Sequence, residues 1–505
     1  MKRLFTLFTM SAMVLLQAMA VSVTDVCGKY QGDLNIGGDN FANKEVYLFA
    51  GTESNTVTFV LPDFTFSGTN LGNIVLTNIP MDNAGNLTLE GATLYIGALK
   101  ERATIDIIPS ISDGATTYQS QLTSASASVL LQITVGSLTE PLIVFFMGSR
   151  QTGNYDITNG GFDGSWTNHE INGWHSFASA TGKLADMVSG NTGQFVQKDG
   201  HTGKGACITS NMIVGVRANG TMTNGQMNAG SMTATDATGN YAFSDPSNSG
   251  YNTPFVGNPD SISFWVKYVP ADRNPNNSVN EARMHTALTT NARYQDPESG
   301  SYANARIAEA ISNYKATSSL GWQKITVPFV YNGSSSKDNV AYILLTFTTC
   351  STPGGGSTYS TGGLFSKKYY YDSCYIDDVA LIYDTRLAAL DFNGKGLSLT
   401  GNSTVDEPYS DEDYTLIATP KGVSAQSFIG YDAANNRALV YVMGHNYPAN
   451  NSSYRLYQIQ MAEPIPTGLE NTQETMTTTR KFMQNGQIYI FHNNHIYDVL
   501  GNMIK

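Results

Sequence analysis

Three carboxylates mark the two ends of a long stretch of this chain. Asn159-Gly160-Gly161-Phe162-Asp163 opens it and Tyr375-Ile376-Asp377-Asp378-Val379 closes it. Strands at the two ends of a β-sandwich often meet, so Asp163, Asp377 and Asp378 are expected at one junction. Carboxylates brought together there are candidates for an active site. The runs between them carry no catalytic motif, so the pair of segments points to a binding fold more than to a reaction.

The rest of the chain was searched for chemistry in the same way. It has no Gly-x-Ser-x-Gly elbow, no His-Glu-x-x-His and no phosphate-cradling glycine loop with lysine. Of the seven histidines, His492 and His495 flank a C-terminal turn with no third ligand nearby, and they read as turn-flanking polar residues. Glycoside hydrolysis needs two carboxyl groups about 5–10 Å apart across a sugar. Asp186, Asp199, Asp260, Glu281, Asp296, Glu298, Glu309 and Asp338 are available, and spacing selects no pair among them. Sugar binding needs aromatic faces for pyranose C–H groups and polar partners for hydroxyls. Trp166 and Trp174 lie in loop-like sequence, Tyr294 and Tyr302 in a long polar region, and Tyr370 in a tyrosine run before the last strand. These five are the candidate glycan contacts. Trp265 and Trp322 sit in apolar strands and are expected in the core.

The elements that must position these residues are β-strands. The 505 residues include 48 Gly, 28 Tyr and 22 Phe but only 14% charged residues. β-Branched and aromatic runs between Gly/Asn turns suit strands better than helices. The length exceeds what one hydrophobic core usually serves, so several domains are expected. A net charge of −12 argues against nucleic acid, since no basic patch would offset phosphate repulsion.

Lys2-Arg3, the apolar run from Leu4 to Leu16 and Ala18-Met19-Ala20 read as a signal peptide over residues 1–20. No later run is long and apolar enough to span a membrane as a helix. The chain is expected to be secreted or displayed at the cell surface. Export permits disulfides, and Cys350 and Cys374, both beside strand-like runs, are the candidate bridge; four buried or free thiols are the alternative.

Short strands such as 57–61, 74–77, 129–133 and 142–146 predict a meander closing into a barrel or sandwich over 21–150. A second domain spans 151–386. Its strongest strand is 261–269, followed by 322–329 and 341–347, with a short helix expected over 304–314 and a flexible excursion over 351–363. A small β module follows over 387–462, then a Pro/Thr/Glu-rich linker over 463–479 and a two-stranded hairpin over 480–505.

Several of these segments resemble known families. Gly28-Lys29-Tyr30-Gln31-Gly32 and Phe146-Met147-Gly148 resemble the edges of calycin-like β-barrel domains of Bacteroidetes secreted proteins. The two carboxylate-bearing segments, Gly173-Trp174, the 264–268 strand and Trp322 resemble the "putative carbohydrate metabolism domain" of Bacteroidetes surface proteins. That family is similar to jelly-roll carbohydrate-binding modules. The resemblance implies a structural calcium at the strand junction, for which Asp163, Asp377 and Asp378 could supply charge. The 387–462 block resembles immunoglobulin-like modules. Asn485-Gly486-Gln487 with Tyr489-Ile490, then Tyr497 and Gly501, after Thr467-Gly468-Leu469-Glu470, resembles type IX secretion sorting signals. The expected protein is all-β and multidomain: calycin-like barrel, jelly-roll sandwich, immunoglobulin-like module and C-terminal hairpin. Its expected role is non-catalytic binding of a polysaccharide or other glycan, delivered by the type IX machinery. Two other roles are carried: a glycoside hydrolase acting through the central domain, and a structural or adhesive protein with a small-molecule-binding barrel.

Overall fold

The computed structural model describes residues 20–462 apart from 67, 97–100, 113–115, 191–194, 277–280, 334, 364–365, 401 and 407–414, and three strands beyond residue 479. The expected signal peptide, except for Ala20, and the expected linker lie outside the described residues. Residues 1–462 form one compact unit and residues 463–505 another. The protein is nearly all β, as expected.

The first sheet is an antiparallel meander. Strands Gly28–Ile36, Asp39–Ala50, Thr56–Phe66 and Thr69–Pro80 pair in succession. Leu89–Ile96, Glu101–Ile107, Ser126–Val135 and Leu142–Arg150 pair in turn, and the last returns to Gly28–Ile36. The result is a nearly closed barrel. Alternate side chains such as Val46, Leu48, Val57, Phe59 and Leu61 fill it.

The other face of the same strands is also buried. Tyr47, Phe49, Val60 and Val75 pack against Phe428, Leu439, Tyr441 and Tyr447. These partners come from the small module, whose sheets run Lys395–Gly396, Leu387–Phe392, Leu416–Pro420 and Ser403–Thr404, Tyr454–Gln460, Arg437–Met443, Gln426–Asp432. Its strand Arg437–Met443 is buried on both sides. Ala438, Val440 and Val442 face the module's own core, and Leu439, Tyr441 and Met443 face the barrel. Phe49 stacks on Tyr441 and on Tyr447, each 4.8 Å between ring centroids. The Tyr441 hydroxyl lies 2.9 Å from Thr58 Oγ1, so burial leaves no phenol stranded. Gly430 is required here, because a Cβ would lie 2.6 Å from Thr77 Cγ2.

The central sandwich has two five-stranded sheets. One runs Phe195–Asp199, Lys204–Thr209, Ser373–Ile382, Ser261–Val269, Gln323–Pro328. The other runs Thr221–Thr223, Tyr342–Thr348, Ala282–Thr289, Arg306–Tyr314, Val330–Tyr331. Phe264, Val266, Tyr268 and Ile376 meet Met284, Leu288, Ile343 and Phe347 between them. A third layer, Gln226–Ala229, Asn240–Ser244 and Tyr294–Asp296, covers the outside of the second sheet, with Tyr294 against Ala287 and Leu344.

Four expectations change. The 304–314 helix is mostly the strand Arg306–Tyr314, because pairing with Ala282–Thr289 and burial of Ile307, Ala308 and Ala310 override the helical propensity of its alanines and glutamate. The 351–363 excursion contributes Thr358–Thr361 to a hairpin with Lys368–Tyr371. The C-terminal unit has three antiparallel strands, Arg480–Gln484, Gln487–His492 and His495–Asp498, rather than two. Gln484 pairs with Gln487, so the run over 481–490 contributes to two strands rather than one. The Cys350–Cys374 bridge does not form: all four cysteines are free and buried. Cys374 points into the sandwich core beside the Tyr314 hydroxyl at 3.2 Å, whereas Cys350 lies beyond the end of Tyr342–Thr348.

The small module also holds the sandwich. Asp260 accepts from the backbone N–H groups of Asp384 and Val423, at 2.6 and 2.7 Å. His445 Nδ1 accepts from Asn258 N at 3.1 Å, which requires a neutral imidazole with Nδ1 unprotonated. Burial, reinforced by nearby Lys29, pushes His445 down from 6.5 to about 4. A depressed histidine stabilises the fold above the unfolded value and loses that contribution as pH falls toward the folded value. Stability should therefore drop between about pH 6.5 and pH 4, with a His445 share on the order of 3 kcal/mol. In thermal melts at pH 5 and pH 7, His445→Gln should lose less midpoint on acidification than the parent. Equal losses would remove His445 from the account.

Candidate binding site

The two carboxylate-bearing segments do meet. Val379 N donates to Gly160 O at 2.9 Å, and Gly160 lies so close to Val379 O that a Cβ would sit 2.0 Å from it. Asp378 occupies a left-handed conformation, φ 49°, at a bulge where Ser373–Ile382 slips register against Ser261–Val269. The bulge directs the carboxylates of Asp377 and Asp378 at one turn, residues 200–204.

That turn is held by carboxylates from both ends. Asp377 Oδ2 accepts from Thr202 N at 3.0 Å and Asp163 Oδ1 from Lys204 N at 2.7 Å. Asp378 lies 3.4 Å from Thr202 Oγ1 and 3.5 Å from His201 Nδ1. Asp377 is fully buried, and burial raises its carboxyl above the usual value despite the N–H donors of Thr202 and Asp378. The turn packs tightly, since Cβ atoms at Gly200 and Gly203 would fall 2.4 Å from Asp377 Oδ2 and 2.5 Å from Asp163 Oδ1. Among the described residues no group of three His, Cys, Asp or Glu converges as a metal site. Asp163 Oδ1 and both Asp377 oxygens accept from backbone N–H groups, so the calcium that the resemblance implied would have to share those oxygens and draw on Asp163 Oδ2 and Asp378.

What the turn presents is His201. Its ring stacks on Trp265, 3.7 Å between centroids and 9° between planes. Trp322 stands edge-on to His201 at 6.1 Å and to Tyr375 at 6.5 Å. Lys267 Nζ lies 4.1 Å from the Tyr375 centroid and 5.3 Å from that of Trp322. In Ser261–Val269, Ile262, Phe264, Val266 and Tyr268 are buried while Trp265 and Lys267 alternate outward and are partly exposed. Register places Tyr375 opposite Lys267 on the neighbouring strand. Trp265 and Trp322 are thus outside the core, contrary to expectation. With Tyr375, Lys267 and His201 they form an aromatic platform on the outer face of the sandwich sheet that contains Ser261–Val269.

The five expected glycan contacts are not brought together. Trp174 is fully buried and donates from Nε1 to Thr158 O at 2.9 Å, leaving no ring face for a sugar. Trp166 packs against the core and donates from Nε1 to Phe162 O at 3.2 Å. Tyr294 is fully buried, its hydroxyl 3.0 Å from Glu298 Oε1. Tyr302 is exposed beside Arg293, and Tyr370 is paired with Tyr359 on the Thr358–Thr361 hairpin. The correction has one physical cause. Both tryptophans find carbonyl acceptors, which lets Trp174 be fully and Trp166 partly buried, while the strand aromatics sit at outward positions.

Three of the carboxylates weighed for glycoside hydrolysis cluster around cations. Asp296 takes a bidentate pair from Arg283 at 2.8 and 2.9 Å and contacts His285 Nδ1 at 3.1 Å. Glu309 lies 3.6 Å from His285 Nε2 and pairs with Arg306, which also binds Glu298 at 3.0 Å. Burial alone would raise Asp296; the charges and hydrogen bonds of His285 and Arg283 outweigh it and hold the carboxyl far below its usual value. His285 moves up for the reciprocal reason. This network fastens the third layer to the second sheet.

If Asp377 organises the turn, Asp377→Ala should leave Thr202 N without its acceptor. A cost of about 1–3 kcal/mol is expected, read as a lower thermal midpoint, with altered Trp265 fluorescence as the His201 stack loosens. An unchanged midpoint and spectrum would contradict the role given to Asp377.

No family model matches the chain, and no curated protein matches it. Among solved structures, a "putative outer membrane protein" of Bacteroides fragilis is 13% identical with a TM-score of 0.18, over 26% of this chain and 53% of its own. The chain thus spans about half the length of that neighbour. A GlcNAcα1-4Gal-releasing endo-β-galactosidase of Clostridium perfringens is 10% identical with a TM-score of 0.25, over 68% of this chain and 89% of its own. At these scores neither similarity fixes a fold or an activity. Among the described residues no helix is long and apolar enough to cross a membrane.

Proposed function

We propose that the sandwich binds a glycan without transforming it, through the platform of Trp265, Trp322, Tyr375, Lys267 and His201. The observation that carries this reading is the outward placement of three large aromatic side chains, a lysine and a histidine on or beside adjoining strands. Sugar rings present C–H groups on their faces and hydroxyls at their rims. Aromatic π surfaces suit the former, and the ammonium and imidazole suit the latter. Strand-borne side chains have little freedom to lose, which favours a shallow, extended ligand such as a polysaccharide. The chain acts outside the cell or at its surface, exported by the signal-like residues 1–20. The resemblance of the last segment to type IX sorting signals, and of the barrel to calycin-like domains of Bacteroidetes, supports a surface setting.

A glycan array of plant, host and microbial polysaccharides, probed with the exported chain, tests the binding. At least one class should be retained, and Trp322→Ala with Tyr375→Ala should weaken it at least about tenfold, or about 1.4 kcal/mol, without lowering the thermal midpoint. Silence across the array, or full binding by the double variant, would overturn the proposal. Removal of residues 480–505 should abolish surface delivery while leaving export intact; unchanged delivery would reject the sorting role.

A further inference from the structure

The aromatic platform holds an ammonium group at its centre. Lys267 Nζ lies against the rings of Tyr375 and Trp322, 4.1 and 5.3 Å from their centroids. Among the described residues no carboxylate pairs with it. In the free protein the π faces and water solvate this charge. A sugar laid over Trp322 and Tyr375 displaces part of that water. Covering an unpaired cation costs free energy unless the ligand brings a compensating charge.

Two further lysines stand on the same face. Trp265 pairs with Lys324 across the sheet, so both side chains point outward, and Lys324 is exposed. On the other flank Tyr375 pairs with Cys207 and Cys207 with Val196. Lys198 follows Val196 by two residues, which turns it outward as well, and it too is exposed. Among the described residues neither lysine has a carboxylate partner.

The acids nearest this face are already engaged. Asp199 pairs with Lys204 at 2.8 Å. Asp163 and Asp377 accept from the N–H groups of the 200–204 turn, and Asp378 faces His201. The net charge of −12 belongs to the whole chain. At physiological ionic strength charges beyond about 8 Å are largely screened, so the lysines beside the ligand decide.

We propose, building on the platform reading above, that the ligand is an acidic polysaccharide whose sugars carry carboxylate or sulfate groups. Its rings stack on Trp322 and Tyr375, and an anionic group accepts from Lys267 Nζ. Lys324 and Lys198 meet further anionic groups along the same polymer.

Calorimetric titration of the exported chain with polygalacturonate, alginate, hyaluronan and dextran sulfate tests this. Each is paired with an uncharged counterpart: the methyl ester for the three uronates, plain dextran for the sulfate. At least one acidic glycan should bind about tenfold or more tighter than its counterpart, and added salt should shrink the preference. The uronates and dextran sulfate distinguish carboxylate from sulfate. Lys267→Gln should remove the preference and Lys267→Arg should keep most of it, both with an unchanged thermal midpoint. Polyglutamate, an anionic polymer without sugar rings, should bind about tenfold or more weaker than the preferred glycan. Equal affinity within every pair, indifference to Lys267→Gln, or polyglutamate bound as tightly as the glycan would overturn the acidic specificity. If an uncharged glycan then still binds, and Trp322→Ala with Tyr375→Ala removes it, the platform reading stands. Silence of every glycan overturns both.

Discussion

The candidate site rests on one buried carboxylate. Asp377 is fully enclosed, yet it lies beside a bulge with a left-handed Asp378, a conformation that non-glycine residues adopt at a cost. What offsets both costs is the capture of the 200–204 turn, whose N–H groups would otherwise lack partners. Asp163 holds the same turn from the other end of the domain. The turn sets His201 flat against Trp265, and that stack fixes one edge of the platform. The strand junction thus shapes a surface rather than housing a reaction.

The same economy of shared surfaces runs through the first unit. Strand Arg437–Met443 has no solvent face, since it divides its side chains between two cores. It joins barrel and small module in the way the core of a single domain joins two sheets. Asp260 and His445 then tie the small module to the sandwich through backbone N–H groups. Sandwich and barrel are therefore held by a common partner, and the carboxylate-bearing junction does not have to carry that load.

Strand content, barrel closure and the sandwich were legible because alternation and turn residues are local signals. Ile262, Phe264, Val266 and Tyr268 showed the inward face of their strand plainly. The outward face was not read correctly: Trp265 between apolar neighbours looked like core, although it alternates with them and shares its side of the strand with Lys267. The neighbours that complete the platform, Tyr375 and His201, arrive through register and a turn that no spacing rule reveals. Trp174 misled for the opposite reason. Its position after Gly173 suggested an exposed loop, whereas a carbonyl at Thr158 permits full burial.

The four tryptophans provide the most direct test. Their indole N–H resonances can be followed by NMR during titration with a glycan selected from the array. The account predicts that the Trp265 and Trp322 signals move with ligand while those of Trp166 and Trp174 stay fixed. Movement of Trp166 or Trp174 with the other two still would contradict it.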